Sequence, residues 1–175
     1  MKIANLETGL STERLILIPF TTQICENILN NDFNFLSAME LKQGISWPDD
    51  DVMESLPRIL ENINKVQSPT GFESWMIIKK TTLEVIGDIG FKGLNSEDES
   101  VDIGYGIIVE ERRRGYAEEA ANALIQWAFT DKRVKKITAS CLHENQSSVH
   151  LLKKLRFRES FKDDQMLFWS LQKEN

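Results

Sequence analysis

A chain of 175 residues, 41% hydrophobic and 27% charged, has room for one domain with a substantial core. Its net charge of −6 argues against a nucleic-acid binder, and no apolar run approaches the ~20 residues of a membrane span. Two cysteines without metal-ligand spacing, and an opening that lacks a signal-peptide pattern, point to a metal-free cytoplasmic protein.

Residues 14–20 (Arg-Leu-Ile-Leu-Ile-Pro-Phe) read as a short strand closed by Pro19. Thr21 or Thr22 can cap a helix running towards Asn30, and a second short helix is expected over 33–43. The loop Trp47-Pro48-Asp49-Asp50 can cap a third helix, over 52–65. After a turn at 68–71, strands 74–80 and 85–92 flank a tight turn. The polar connection 93–100 is short enough to make 85–92 and 101–109 an antiparallel hairpin. On the second of these strands Val101, Ile103, Tyr105, Ile107 and Val109 share one face. Asp102, Gly104, Gly106 and Ile108 share the other, where the two glycines let a helix or a ligand approach closely.

Arg112-Arg113-Arg114-Gly115-Tyr116-Ala117 joins that strand to a helix expected over 118–130, with Ala117, Ala121, Leu124, Ile125 and Ala128 on its inner side. A glycine-bearing turn ahead of a helix leaves several backbone N–H groups unpaired and pointing the same way. Arginines beside them complete a socket for a phosphate group. A strand over 136–142 follows. Asn145 stands where a helix N-cap belongs, with Leu151, Leu152 and Leu155 as that helix's inner stripe, and 157–158 with 165–171 form a last strand pair. Strands on a central sheet with helices between them make a mixed α/β, open-sheet domain.

Three segments carry a family resemblance: Thr12-Glu13-Arg14-Leu15-Ile16-Leu17-Ile18-Pro19-Phe20; Ile103-Gly104-Tyr105-Gly106 leading into the triple-arginine loop; and Asn145-Gln146-Ser147-Ser148 followed by Leu151-Leu152-Lys153-Lys154-Leu155-Arg156-Phe157. Residues 13–171 resemble the GCN5-related N-acetyltransferase (GNAT) superfamily, and within it the RimJ/RimL-type branch that acetylates protein N-termini. The resemblance implies a mostly antiparallel twisted sheet, splayed between its fourth and fifth strands and flanked by helices on both faces. It implies acetyl-CoA as co-substrate, with the pyrophosphate on backbone amides around Arg114, Gly115, Tyr116 and Ala117. The pantetheine arm would pair with Ile107, Ile108 and Val109, Asn145 and Ser148 would reach it from the far side, and Arg112 would meet the phosphates. Two positions depart from the family pattern. Arg156 replaces a glycine at a helix end, at a cost of about 1 kcal/mol, and Leu152 replaces a tyrosine that protonates the departing thiolate in many relatives.

Acetyl transfer to an amine needs a neutral nucleophile, a polarised carbonyl and a proton for the thiolate. An α-amine with pKa near 8 is roughly a tenth neutral at pH 7, so a weak base suffices. Asp102 matches the strand position where histone-acetylating relatives carry glutamate, and is the candidate base. A cross-strand ion pair with Lys92 is the competing reading of the same residue. Ser148 is the candidate acid, as well as a cofactor contact and an ordinary first-turn residue. A backbone N–H near Val109 would polarise the carbonyl. His143, His150 and Cys141 are read as structural. Acidic residues around Asp49, Asp50, Asp51 and Glu54 suit a cationic acceptor and equally suit a helix N-terminus. The acceptor expected is the α-amine of a protein or peptide, taken by a monomer or homodimer. A polyamine or aminoglycoside acetyltransferase, or a catalytically silent acyl-CoA-binding module, is the alternative.

Overall fold

Leu15, Ile16, Leu17 and Ile18 are all buried, because their strand lies inside a sheet with both faces covered. In the computed structural model, which describes residues 9–66 and 68–174, the strands form one sheet; residues 1–8, part of the opening read for a signal peptide, lie outside the described residues. In chain order the elements are β1 (Leu10–Ser11), β2 (Leu15–Pro19), α1 (Thr22–Leu29), α2 (Asn34–Ala38), β3 (Lys42–Gln43), α3 (Asp50–Asn64), β4 (Ser74–Lys79), β5 (Glu84–Asn95) and β6 (Ser100–Ile107). After β6 come α4 (Tyr116–Thr130), β7 (Lys136–Leu142), α5 (Gln146–Lys154), β8 (Arg158–Lys162) and β9 (Met166–Gln172). The sheet order is β1-β2-β4-β5-β6-β7-β9-β8, with β3 attached in parallel to β5.

Every other pairing is antiparallel except β6 with β7, where α4 provides the crossover that parallel strands require. That pair holds only through Ser100↔Lys136, Val101↔Ile137 and Asp102↔Thr138. Beyond Asp102 the two strands diverge, and the sheet opens into a V. This is the expected mixed α/β fold with its splay between the strands 101–109 and 136–142.

Helix α3 begins where Asp49 accepts a hydrogen bond from Val52 N–H (3.1 Å), and Val52, Leu56, Ile59 and Ile63 give it a buried stripe. Helix α4 buries Ala120, Ala121, Leu124, Ile125 and Ala128, and its three alanines let it lie close to the sheet. It starts at Tyr116, two residues before the sequence reading. Three further details differ. Helix α2 ends at Ala38 and not at 43, because Glu40 turns left-handed (φ 59°) and Leu41 N–H closes on the Leu36 carbonyl. Strand β6 stops at Ile107, where a 3-10 turn over Val109–Glu111 takes over. The buried residues of α5 are Val149 and Leu152, with Leu151 turned outward to a cavity.

Candidate active site

The open V leads into two cavities that share Asp51, Tyr105 and Gly106. The larger, about 850 Å³, follows the end of β6, the loop into α4 and the first turn of α5. Ile107, Val109, Arg112, Gly115, Tyr116, Ala117, Asn145 and Ser148 all line it. Ile108 does not: it is buried, its N–H bound to the Ile86 carbonyl. The Arg114 side chain also turns away, its Nη1 lying 3.2 Å from Glu111.

The loop is shaped for an anion by its backbone. Gly115 is left-handed (φ 80°) and no side chain caps α4 behind it. Among the described residues the N–H groups of Gly115, Tyr116, Ala117 and Glu118 find no acceptor, so they and the helix dipole present positive charge to the cavity. Val109 N–H likewise finds none. Two contacts, the first of them buried, fix the loop from behind. Lys79 reaches Glu111 (2.5 Å) and Glu84 (3.3 Å), and the Glu111 hydrogen bond raises the Lys79 pKa. Arg14 donates to the Arg114 carbonyl (2.9 Å), pairs with Glu119 (2.6 Å) and covers the Tyr116 ring.

Asn145 caps α5, its Oδ1 accepting from Ser148 N–H (3.1 Å), which leaves the Ser148 hydroxyl to the cavity. Beside it lies the Tyr105 hydroxyl, buried and without a well-formed hydrogen bond; burial pushes its pKa up, and the neighbouring Ser148 pulls the other way. Leu152, where many relatives have tyrosine, is packed in the core.

The smaller cavity, about 360 Å³, lies between α3 and the strands. Asp51, Glu54 and Arg58 come from α3, Asp88 and Lys92 from β5, and Gly104, Tyr105 and Gly106 from β6. The glycine face of β6 therefore meets neither helix nor side chain at Gly104, where a Cβ would find nothing within 4 Å. At Gly106 a Cβ would meet only Asp88 Oδ1, at 3.6 Å. Asp88 sits recessed in the floor; desolvation first, then Asp49 and Asp51, push its carboxyl up to about 7.

Asp102 is brought to neither cavity. It lies at the closed end of the V, ion-paired with Lys92 and accepting from Thr138 Oγ1 (2.8 Å). The parallel register places it opposite Thr138, where the strands still touch. His150 stands exposed at the rim of the larger cavity, bound to the Gln146 carbonyl, His143 bonds the Asp163 carbonyl, and Cys141 is buried. Among the described residues no group of His, Cys, Asp and Glu is arranged to hold a metal, and no helix is long and apolar enough to cross a membrane. Asp88 and Tyr105 escaped the sequence reading. One is an isolated acid in a strand, and the other was counted within an apolar stripe.

A splayed sheet with an anion-binding loop on one strand and a capped helix on the other defines an acyl-transfer enzyme of the CoA-dependent type. The acetyltransferase (GNAT) domain family matches residues 14–158, and the chain belongs to that family. A Bacillus subtilis relative, the uncharacterized N-acetyltransferase YjdG, is 33% identical over 160 residues, covering 91% of this chain and 95% of its own. Among solved structures, RimL, a ribosomal-protein alpha-N-acetyltransferase in complex with coenzyme A, superposes with TM-score 0.67 at 14% identity, covering 92% of this chain and 95% of that one. A spermidine N-acetyltransferase chimera from Vibrio cholerae and hSSAT gives 0.64 at 18%, covering 91% and 96%. The protein is an acetyltransferase.

Proposed function

We propose that the protein moves the acetyl group of acetyl-CoA to the α-amine of a protein or peptide by direct attack, with both substrates bound. One observation carries the reading: a cavity lined by free helix-start amides and a cavity holding Asp51, Glu54 and Asp88 meet at Tyr105 and Gly106, at the open end of the β6–β7 splay. The free amides of Gly115, Tyr116 and Ala117 suit the pyrophosphate, with Arg112 beside them. Val109 N–H is placed to polarise the thioester carbonyl. Ser148 protonates the leaving thiolate, and the Tyr105 hydroxyl beside it takes the place left by Leu152.

The acceptor is cationic before reaction, and Asp51, Glu54 and Asp88 face it. A polyamine fits the same carboxylates, and a spermidine acetyltransferase is among the structural neighbours. Thiol release from acetyl-CoA, followed with peptides bearing free α-amines, N-blocked lysine peptides, spermidine and an aminoglycoside, separates these acceptors. Turnover is expected to be at least tenfold faster with α-amine peptides; a preference for spermidine makes the protein a small-amine enzyme. No release with any acceptor defeats the proposal.

A further inference from the structure

We propose that Asp88 is the general base of the transfer: its carboxylate takes a proton from the acceptor's ammonium group at the point where the two cavities meet. The inference rests on the acetyl-transfer reading above and names a residue for it.

Position is the first argument. Asp88 Oδ1 lies 3.6 Å from where a Gly106 Cβ would stand, and Gly106 lines both cavities. A base must come within hydrogen-bond reach of the reacting nitrogen, and that nitrogen must lie beside the thioester. Only a residue near the junction meets both conditions. Availability is the second argument. Among the described residues Glu84, Glu111, Asp102 and Glu119 all carry ion pairs, whereas Asp88 has neither an ion pair nor a side-chain hydrogen bond. Asp51 also lines both cavities, but it is exposed on the helical wall and pairs with Arg112 (4.0 Å), and Glu54 is exposed on the same wall.

The surroundings are the third. Asp49, at the cap of α3, and Asp51 and Glu54 within it face Asp88, with Arg58 beyond them; Lys92 comes from its own strand and Tyr105 from β6. Burial first, then the charges of Asp49 and Asp51, pushes the carboxyl up to about 7. An α-ammonium near 8 passes its proton to such a group at about a tenfold penalty, whereas an ordinary aspartate near 4 faces about 10⁴. A lysine ammonium near 10.4 faces more than 10³ even here. The preference for α-amines over ε-amines lies in the amines themselves, about 200-fold for any base, while the raised carboxyl brings the α-amine transfer within reach.

The protons balance. Asp88 takes one from the ammonium, the nitrogen forms the new C–N bond, and the C–S bond breaks. The nitrogen's second proton replaces the one that Ser148 gives to the thiolate sulfur, and Asp88 returns its own to solvent.

The test is Asp88→Asn in the full chain, with Asp51→Asn as a second variant. In wild type kcat/KM for an α-amine peptide is expected to fall on the acid side with a midpoint near pH 7. Asp88→Asn lowers the rate at pH 7 about 100-fold and moves that limb to the amine's own pKa near 8, while calorimetry shows CoA binding unchanged. Asp51→Asn moves the wild-type limb to lower pH, since a negative neighbour is lost. Carbon-13 NMR of the Asp88 carboxyl in the protein without ligands reads the same midpoint without turnover. A fall of less than tenfold in Asp88→Asn with intact CoA binding, or a carboxyl that titrates below pH 5, overturns the assignment and leaves acetyl transfer standing. Absence of wild-type turnover on every amine overturns both.

Discussion

The two cavities that meet at Tyr105 and Gly106 are made of different material. The proposed donor side is backbone: free amides at the start of α4, a left-handed Gly115 and a capped α5, with the loop braced from behind by the buried Lys79–Glu111 pair. The proposed acceptor side is side chain: carboxylates from α3 and β5 over a strand face bared by Gly104 and Gly106. A site of backbone amides is insensitive to most substitutions, because each residue brings the same N–H. A site of side chains changes specificity with a single replacement. Family members can thus share a donor while differing in acceptor, as the ribosomal-protein and spermidine enzymes among the structural neighbours do by their descriptions.

The contrast breaks most sharply at the brace behind the donor loop. Lys79 is buried between Glu111 and Glu84, so Lys79→Met leaves Glu111 in a poorly solvated place without its main partner. A loss of about 3 kcal/mol in denaturant unfolding is expected, together with weaker CoA binding as the Val109–Glu111 turn loosens. The double change Lys79→Met, Glu111→Leu is expected to recover most of the stability. Unchanged unfolding in the single variant would show that the loop holds itself.

On the acceptor side the sign reverses. The Asp88 carboxyl is raised to about 7 in the folded protein, against an ordinary value near 4 in the unfolded chain. Between those values the folded state holds a proton that the unfolded state has lost. Stability from this group is therefore greatest below pH 4 and declines as pH rises to 7. Asp88→Asn removes the penalty and is expected to stabilise the protein by about 2 kcal/mol at pH 8, with no gain at pH 4. Thermal melts at the two pH values check it. An equal effect at both would mean that the carboxyl is not perturbed.

Gly115→Val tests the backbone side alone. Its φ of 80° is one that branched residues avoid, and the new Cβ would stand 3.3 Å from the Arg14 guanidinium. A cost of about 1–2 kcal/mol is expected, with CoA affinity down at least tenfold and binding of an acceptor peptide to the free protein unchanged. Equal losses for both ligands would show that the cavities are coupled through the loop.

Legibility in the sequence follows the same division. The donor side is encoded in two contiguous stretches, around 112–117 and 145–148, since a turn, a helix start and a cap are local structures. Six residues of these stretches that the resemblance implies for the cofactor (Arg112, Gly115, Tyr116, Ala117, Asn145 and Ser148) line one cavity, with Ile107 and Val109 from the strand end before them. Ile108, implied for the pantetheine, is buried, and the Arg114 side chain turns to Glu111, so neither lines it. The acceptor side gathers α3, β5 and β6 from residues far apart, and nothing local marks Asp88 among the other acids. Asp102 shows the limit of strand position as a guide: a motif says which strand a residue is on, and only the β6–β7 register says that Asp102 sits where the V is closed. The end of α2 was lost for a related reason. Met39, Glu40 and Leu41 are all good helix formers, yet the packing of Leu41 in the core ends the helix at Ala38.

The smallest expected effect concerns Arg156, a departure from the family pattern that lies outside both cavities. Arg156 follows α5 with a left-handed backbone (φ 67°), and its N–H bonds the Lys153 carbonyl while Phe157 N–H bonds that of Leu152. The geometry is the one a helix end with glycine adopts freely, kept here by an arginine that bears the strain of its Cβ. Phe157 is buried beneath it, so the turn cannot relax without withdrawing an aromatic ring from the core. Arg156→Gly is therefore expected to raise stability by about 1 kcal/mol in urea unfolding and to leave kcat/KM within twofold, since residue 156 lines neither cavity. A fall in CoA affinity beyond that range would show Arg156 reaching the donor's phosphates and extend the donor side past the backbone into a side chain.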